Sequence, residues 1–273
     1  MKEEHNFTER RACRVLGINR TAYRYEPVKR EDEDSIREKV IALACNYGRT
    51  GYRQVTHMMR NSGVLINHKR VERIWKEEGL KRPKKQTKRR RLWLNDGSCV
   101  RLRAEHENHV WSYDFVEDKT VDGKKIRFLN IIDESSRECL VSLPRRSWRH
   151  TDIIEILTDL FIMKGTPEYI RSDNGPEFTA KKLMEWLADI GVITTFIEPG
   201  SPWENGYCES FNSRMRDEFL NGELFGNLYE AKVLTKRWAY YYNAIRPHSS
   251  LGGRPPAPQS VIYPISIKSA LPA

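Results

Sequence analysis

The sequence lacks the features that mark secreted or membrane-spanning chains. Its five cysteines, Cys13, Cys45, Cys99, Cys139 and Cys208, are odd in number and scattered, with no CxxC pair. Such spacing supports neither a disulfide framework nor a cysteine-rich zinc site. No apolar run approaches the roughly twenty residues of a membrane span, and the charged N-terminus lacks the apolar centre of a signal peptide. The expectation is a chain of a reducing cytoplasm. No Gly-rich Walker loop is present, so ATPase chemistry is not expected. His106 and His109 form an HxxH pair, but without a cysteine pair downstream they read as surface histidines.

What the chain does have is charge, unevenly placed. Its 273 residues carry 47 Lys and Arg against 37 Asp and Glu, a net +10, which favours a polyanionic partner. Residues 1–103 hold 27 basic and 13 acidic side chains, net +14, which leaves −4 for residues 104–273. The first part reads as a nucleic-acid grip. The second, with clustered carboxylates, reads as a place that attracts metal ions before DNA phosphates. Charge alone also fits a solvated basic surface. The length allows a catalytic domain plus one or two small modules.

Residues 1–30 are read as a short helical segment, with two helices around Gly17 and Asn19 capping the second. Residues 31–80 are read as a helix-turn-helix-type DNA-binding module. Ile36, Val40, Leu43 and Ala44 keep helical spacing, NYGRTGYRQV breaks it, and Val55, Met58 and Met59 resume it. A third helix after Asn67 packs Val71, Ile74 and Trp75 and presents Lys69, Arg70 and Arg73 as DNA-binding candidates, the alternative being a generic three-helix module. Residues 81–103 form a basic linker. It opens with KRPKKQTKRRR, eight of whose eleven side chains are cationic. Lys84, Lys85, Arg89 and Arg90 are its candidate DNA contacts, since like charges at that density order best against a polyanion; a solvated tail is the alternative.

From residue 104 to 273 the texture changes. HVWSYDFVE, KIRFLNIID and RECLVSLP read as strands, Ile153, Ile154, Leu157, Leu160 and Phe161 as one helical stripe, and EYIRSD and VITTFI as strands around a helix through Leu183, Trp186, Leu187 and Ile190. Three strands followed by alternating helices and strands predict an α/β fold with a mixed sheet and flanking helices.

Three acids stand out in this part. Asp114 interrupts the strand WSYDFVED, with aromatics at 111, 113 and 115 on one face and Ser112, Asp114 and Val116 on the other; alone it also fits an edge residue facing water. Asp173 in RSDNGPEF ends a strand before a turn, where open α/β sheets place their sites, although an ordinary Asx turn fits as well. Glu209 follows PGSPWENG and opens a helix whose buried stripe is Cys208, Phe211, Met215 and Phe219. Converging carboxylates repel unless divalent cations neutralise them, and hard oxygen ligands suit magnesium or manganese. Two such ions about 3.5–4 Å apart would serve phosphodiester chemistry. For Arg246 and His248 in AIRPHSSL, a DNA contact near the site and a turn holding the C-terminal segment are both open.

WSYDFVED, RSDNGPEF and PGSPWENGYCESFNSRMRDEFLN, with 35 residues between Asp173 and Glu209, resemble the DDE core of retroviral-type integrases and bacterial insertion-sequence transposases. YNAIRPHSSLGGRPPAP, GYRQV and NHKRVERIWKEEGL make the chain similar to the second-frame protein of the insertion-sequence-three family, over about residues 35 to 258. The resemblance implies a ribonuclease-H-like fold, Mg2+ with Mn2+ as a substitute, and Asp114, Asp173 and Glu209 as the catalytic, metal-binding triad. It also implies that Asn174, Gly175 and Asn205 shape the triad's surroundings and that Trp203 touches DNA. The implied partners are terminal inverted repeats, target DNA and a first-frame product fused by programmed frameshifting; a homo-oligomer on DNA, associated with the bacterial nucleoid, is expected. A DNA-binding regulator without catalysis and a plain metal nuclease are the competing readings.

Overall fold

The computed structural model describes residues 8–26, 30–82, 102–173, 175–196 and 205–258. The chain divides into two compact units, Met1–Asn46 and Tyr47–Ala273. The first contains α1 (Glu9–Val15), α2 (Arg20–Tyr23) and α3 (Glu33–Asn46). Gly17 takes φ +64° between α1 and α2, and the Asn19 side chain accepts from the Thr21 amide at 2.9 Å, the cap that the sequence predicted. The boundary after Asn46 falls within the stretch of residues 31 to 80.

The second unit opens with α4 (Tyr52–Asn61) and α5 (His68–Glu77). Val55, Met58 and Met59 of α4 and Val71 and Ile74 of α5 are buried, while Asn67 caps α5 by accepting from the Lys69 amide at 3.0 Å. A C-terminal turn seats against α4. Gly253 lies at φ +85°, where a Cβ would come within 2.1 Å of the His57 ring, and its carbonyl accepts from Asn61 Nδ2 at 3.0 Å. Only glycine meets both the backbone conformation and the close approach.

A five-stranded sheet forms the centre of this unit, in the order β3-β2-β1-β4-β5. Its strands are β1 (Val110–Lys119), β2 (Lys125–Asp133), β3 (Cys139–Arg145), β4 (Tyr169–Ser172) and β5 (Ile193–Phe196). β1–β2 and β2–β3 pair antiparallel, β1–β4 and β4–β5 parallel. The parallel pairs need crossover helices, supplied by α6 (His150–Lys164) and α7 (Lys181–Ile190); α8 (Gly206–Glu218) and α9 (Leu228–Tyr240) follow. This is the mixed sheet with flanking helices that the alternation of patterns predicts.

Strand alternation sorts the sheet into two faces. Trp111, Tyr113, Leu129 and Ile131 pack with Ile153, Leu157 and Leu160 of α6 and Leu183 and Leu187 of α7. Val116, Ile126, Phe128 and Ile132 pack with Cys208, Phe211 and Met215 of α8 and Trp238 and Ala239 of α9. Each such side chain contributes about 1.5–3 kcal/mol when fully buried. The second face also carries Asp114, so the helix bearing Glu209 lies over the strand bearing Asp114.

Candidate active site

Asp114 sits in the central strand of the sheet and is half-buried. β1 and β4 are paired in register Ser112↔Arg171. Two residues further on along the same face stand Asp114 and Asp173, the latter exposed just beyond β4. Glu209 is in the first turn of α8. Both oxygens of Asp114 are held: Oδ1 accepts from the Phe115 amide at 2.7 Å and Oδ2 from Asn212 Nδ2 at 2.8 Å. Burial raises its pKa to about 6, and the neighbouring charges of Asp173 and Glu209 push the same way against those two hydrogen bonds. The upward push from both acids is the electrostatic mark of carboxylates facing one another.

A divalent cation fits this donor set, since hard oxygen ligands that repel one another are what a hard cation neutralises. Among the described residues, the three carboxylates do not close to within 4.8 Å of one another. Among the described residues, His106, His109 and Glu168 are the group whose possible ligand atoms all lie within 4.8 Å of one another. That group is a poor metal site. His109 Nδ1 accepts from the Glu105 amide at 3.0 Å, so its proton sits on Nε2, the atom that would have to ligate. His106 is exposed as the sequence predicts, whereas His109 is buried and stacked on it at 4.7 Å.

The raised pKa of Asp114 has a consequence for stability. Between about pH 4 and 6 the folded chain holds a proton that the unfolded chain has released, so metal-free stability falls as pH rises through that window and levels off above it. The effect is on the order of 3 kcal/mol. Denaturation in a chelator across that range should show the decline, and Asp114→Asn should flatten it. An unchanged slope in the variant would assign the titration elsewhere.

The loop after β4 is shaped by contacts that the sequence did not disclose. The Gly175 amide donates to Asp173 Oδ1 at 3.1 Å, and a Cβ there would lie 3.1 Å from that oxygen and 3.3 Å from the Phe178 ring. Glu177 bonds Arg127, whose guanidinium lies 4.2 Å from the centre of the Phe115 ring. Beneath the acids, Arg171 donates to Glu134 Oε1 at 2.6 Å and to the Leu102 carbonyl at 2.9 Å. Ser112 bonds the same carboxylate oxygen, and both charged side chains are almost fully buried.

Of the other expected site residues, Asn205 is buried before α8, and its Oδ1 has no hydrogen-bond partner among the described residues. Lys69 and Arg73 are exposed on α5, Arg73 in an ion pair with Glu77 at 2.8 Å, and Arg70 is half-buried. Asn174, Lys84, Lys85, Arg89, Arg90 and Trp203 lie outside the described residues. Of the two readings open for Arg246 and His248, their burial favours the turn that holds the C-terminal segment. Arg246 is buried and grips Glu218 with two bonds of 2.6 Å. His248 is buried against Tyr242. Burial, with the charges of Arg246 and Arg214, pushes its pKa down to about 3, so it is neutral at physiological pH and brings no charge to a phosphate. Both residues hold the C-terminal turn.

Comparison with known proteins places this geometry. Residues 104–202 and 190–256 match two Integrase core domain families, and residues 30–91 match an HTH-like domain. The insertion element IS476 uncharacterized 39.2 kDa protein of Xanthomonas euvesicatoria is 34% identical over 96% of this chain and 75% of that one. The insertion element IS407 uncharacterized 31.7 kDa protein of Burkholderia multivorans is 32% identical over 92% and 90%. The transposase for insertion sequence element IS904 of Lactococcus lactis is 25% identical over 84% and 95%. The domains define the class: a polynucleotidyl transferase with a ribonuclease-H-like integrase core and a helical DNA-binding region. The chain belongs to the insertion-sequence transposase family, of the insertion-sequence-three type. It is a DNA-binding DDE transposase.

Proposed function

We propose that Asp114, Asp173 and Glu209 are the acids that carry the chemistry, holding Mg2+, with Mn2+ as a substitute, for cleavage and strand transfer at the terminal inverted repeats of a bacterial insertion sequence. The observation that supports this most is the environment of Asp114. It is a half-buried carboxylate in the central strand, fixed at both oxygens, with its pKa raised first by burial and further by the charges of Asp173 and Glu209. Bound there, divalent ions would sharpen an attacking oxygen and neutralise a leaving one. The protein's part is to hold three carboxylates in place and to position DNA. In strand transfer a 3′-hydroxyl oxygen forms one bond to a target phosphorus while the phosphorus releases another 3′ oxygen. One P–O bond replaces another, and no nucleotide need be hydrolysed.

Under this reading, Lys69, Arg70 and Arg73 of α5 and Lys84, Lys85, Arg89 and Arg90 of the basic segment meet phosphate or base edges, and Trp203 meets DNA beside the acids. Asn174, Gly175 and Asn205 shape the acids' surroundings, as the hydrogen bond of Gly175 to Asp173 supports. The chain works as the C-terminal part of a frameshift fusion, assembles as a homo-oligomer on DNA, and acts at the bacterial nucleoid. The test is an end-joining assay with the fused protein, a pre-cut inverted-repeat end and a plasmid target in Mn2+. Branched products support the reading; linear cleavage alone makes the protein a nuclease, and binding without any product makes it a regulator.

A further inference from the structure

A line of polar side chains crosses the face of the sheet that holds Asp114. In register, Asp114 faces Asn130 on β2 and Asn130 faces Ser142 on β3. Ser142 Oγ donates to Asn130 Oδ1 at 2.8 Å, Asn130 Nδ2 to Asn212 Oδ1 at 2.8 Å, and Asn212 Nδ2 to Asp114 Oδ2 at 2.8 Å. Asn130 is fully buried and Ser142 nearly so. They stand among Phe128, Ile132 and Met215, where a polar group needs a reason to be present.

The direction of this chain is dictated by its end. An ionised carboxylate only accepts, so Asn212 must turn its NH2 to Asp114 and its carbonyl away. That carbonyl then needs a donor, which fixes the Asn130 amide, whose own carbonyl needs the Ser142 hydroxyl. An Asn amide is almost symmetric in shape, so Asp114 at one end and Asn130 at the other together fix which way Asn212 faces. Asn212 is also three residues after Glu209, on the same side of α8.

We propose that Ser142 and Asn130, acting through Asn212, form a positioning relay that fixes the Asp114 carboxylate for a divalent ion and sets α8, with Glu209, at its working distance from β1. The relay rests on the reading of the three acids given above. It touches no DNA and no reacting atom; it acts through Asp114.

The test is Mn2+ binding to the full chain followed by electron paramagnetic resonance, with thermal unfolding run alongside. Asn212→Leu is expected to weaken Mn2+ binding by about 10–100-fold, the usual cost of losing a group that orients a ligand. Ser142→Ala should weaken it a few-fold, while Ser142→Thr, which keeps the hydroxyl, should restore it. A packing role predicts the reverse order, because Ala fits the buried site more easily than Thr. Ser142→Ala added to Asn212→Leu should cost nothing further, since the relay is already cut; independent effects would add. Should Asn212→Leu fail to fold, the two Ser142 variants decide. Normal Mn2+ binding by Ser142→Ala, in a chain whose binding is lost in Asp173→Asn, overturns the relay alone. A wild-type chain that takes up no Mn2+, or an Asp173→Asn variant that binds it normally, overturns the reading of the acids and the relay with it.

Discussion

Glu209→Gln is expected to lower the joining of DNA ends by at least about a thousandfold, roughly 4 kcal/mol in activation free energy, while DNA affinity stays within about twofold. Gln matches Glu in size and can still pack at the start of α8, so the fold should survive. What is lost is a negative charge that acts on Asp114 and, on the proposed reading, one hard ligand of the cation. DNA affinity should hold because the grip lies with the basic first part of the chain, net +14 over residues 1–103. The check is paired: a gel-shift titration for affinity and product analysis for joining. A variant that joins ends at the normal rate would remove Glu209 from the reaction, and one that loses both DNA binding and joining would point to a fold defect instead.

The second large effect is on stability. Arg171→Met leaves the buried Glu134 carboxyl short of its main partner. Breaking such a pair on one side costs about 3–5 kcal/mol, a large share of the 5–15 kcal/mol that holds a typical domain folded. Replacing both, Arg171→Met with Glu134→Leu, should recover most of the loss, because the desolvation cost of the two charges disappears with them. Ser112 would still lose an acceptor, worth about 1 kcal/mol. Urea denaturation followed by tryptophan fluorescence measures both variants. A single variant as stable as the wild type would mean that solvent reaches the carboxylate, contrary to its burial. The location gives the result a second interest: Ser112 and Arg171 lie two residues before Asp114 and Asp173 on the same face of adjacent strands.

Much of the fold could be read from local pattern. The odd-numbered aromatics of WSYDFVED do face α6 and α7, and the Cys208, Phe211 and Met215 stripe of α8 does face the sheet. Such features depend on periodicity alone, which a sequence displays directly. The three acids proposed for the site were picked out by motif and spacing. What surrounds them was not. Asn130 and Asn212 are 82 residues apart and meet only through strand register and the tilt of α8. A signal was present, since FLNIID places one amide inside an apolar strand, and a buried amide demands a partner; the sequence does not say which. For Arg246 and His248 two readings stayed open for the related reason that a cation near a motif resembles a DNA contact until its burial is known. Glu218, the group that Arg246 grips, is 28 residues away.

The sheet order has one more consequence. β1 is hydrogen-bonded on both edges, to β2 and to β4, whereas Asp173 lies beyond its strand's end and Glu209 on a helix laid across the sheet. On the proposed reading of the three acids, one jaw of the vice is therefore welded into the frame, and the other two are bolted on, one by the Gly175 amide and the other by its helix. Drift in sequence can loosen the bolted jaws in small steps, but moving the welded one means unzipping the middle of the sheet.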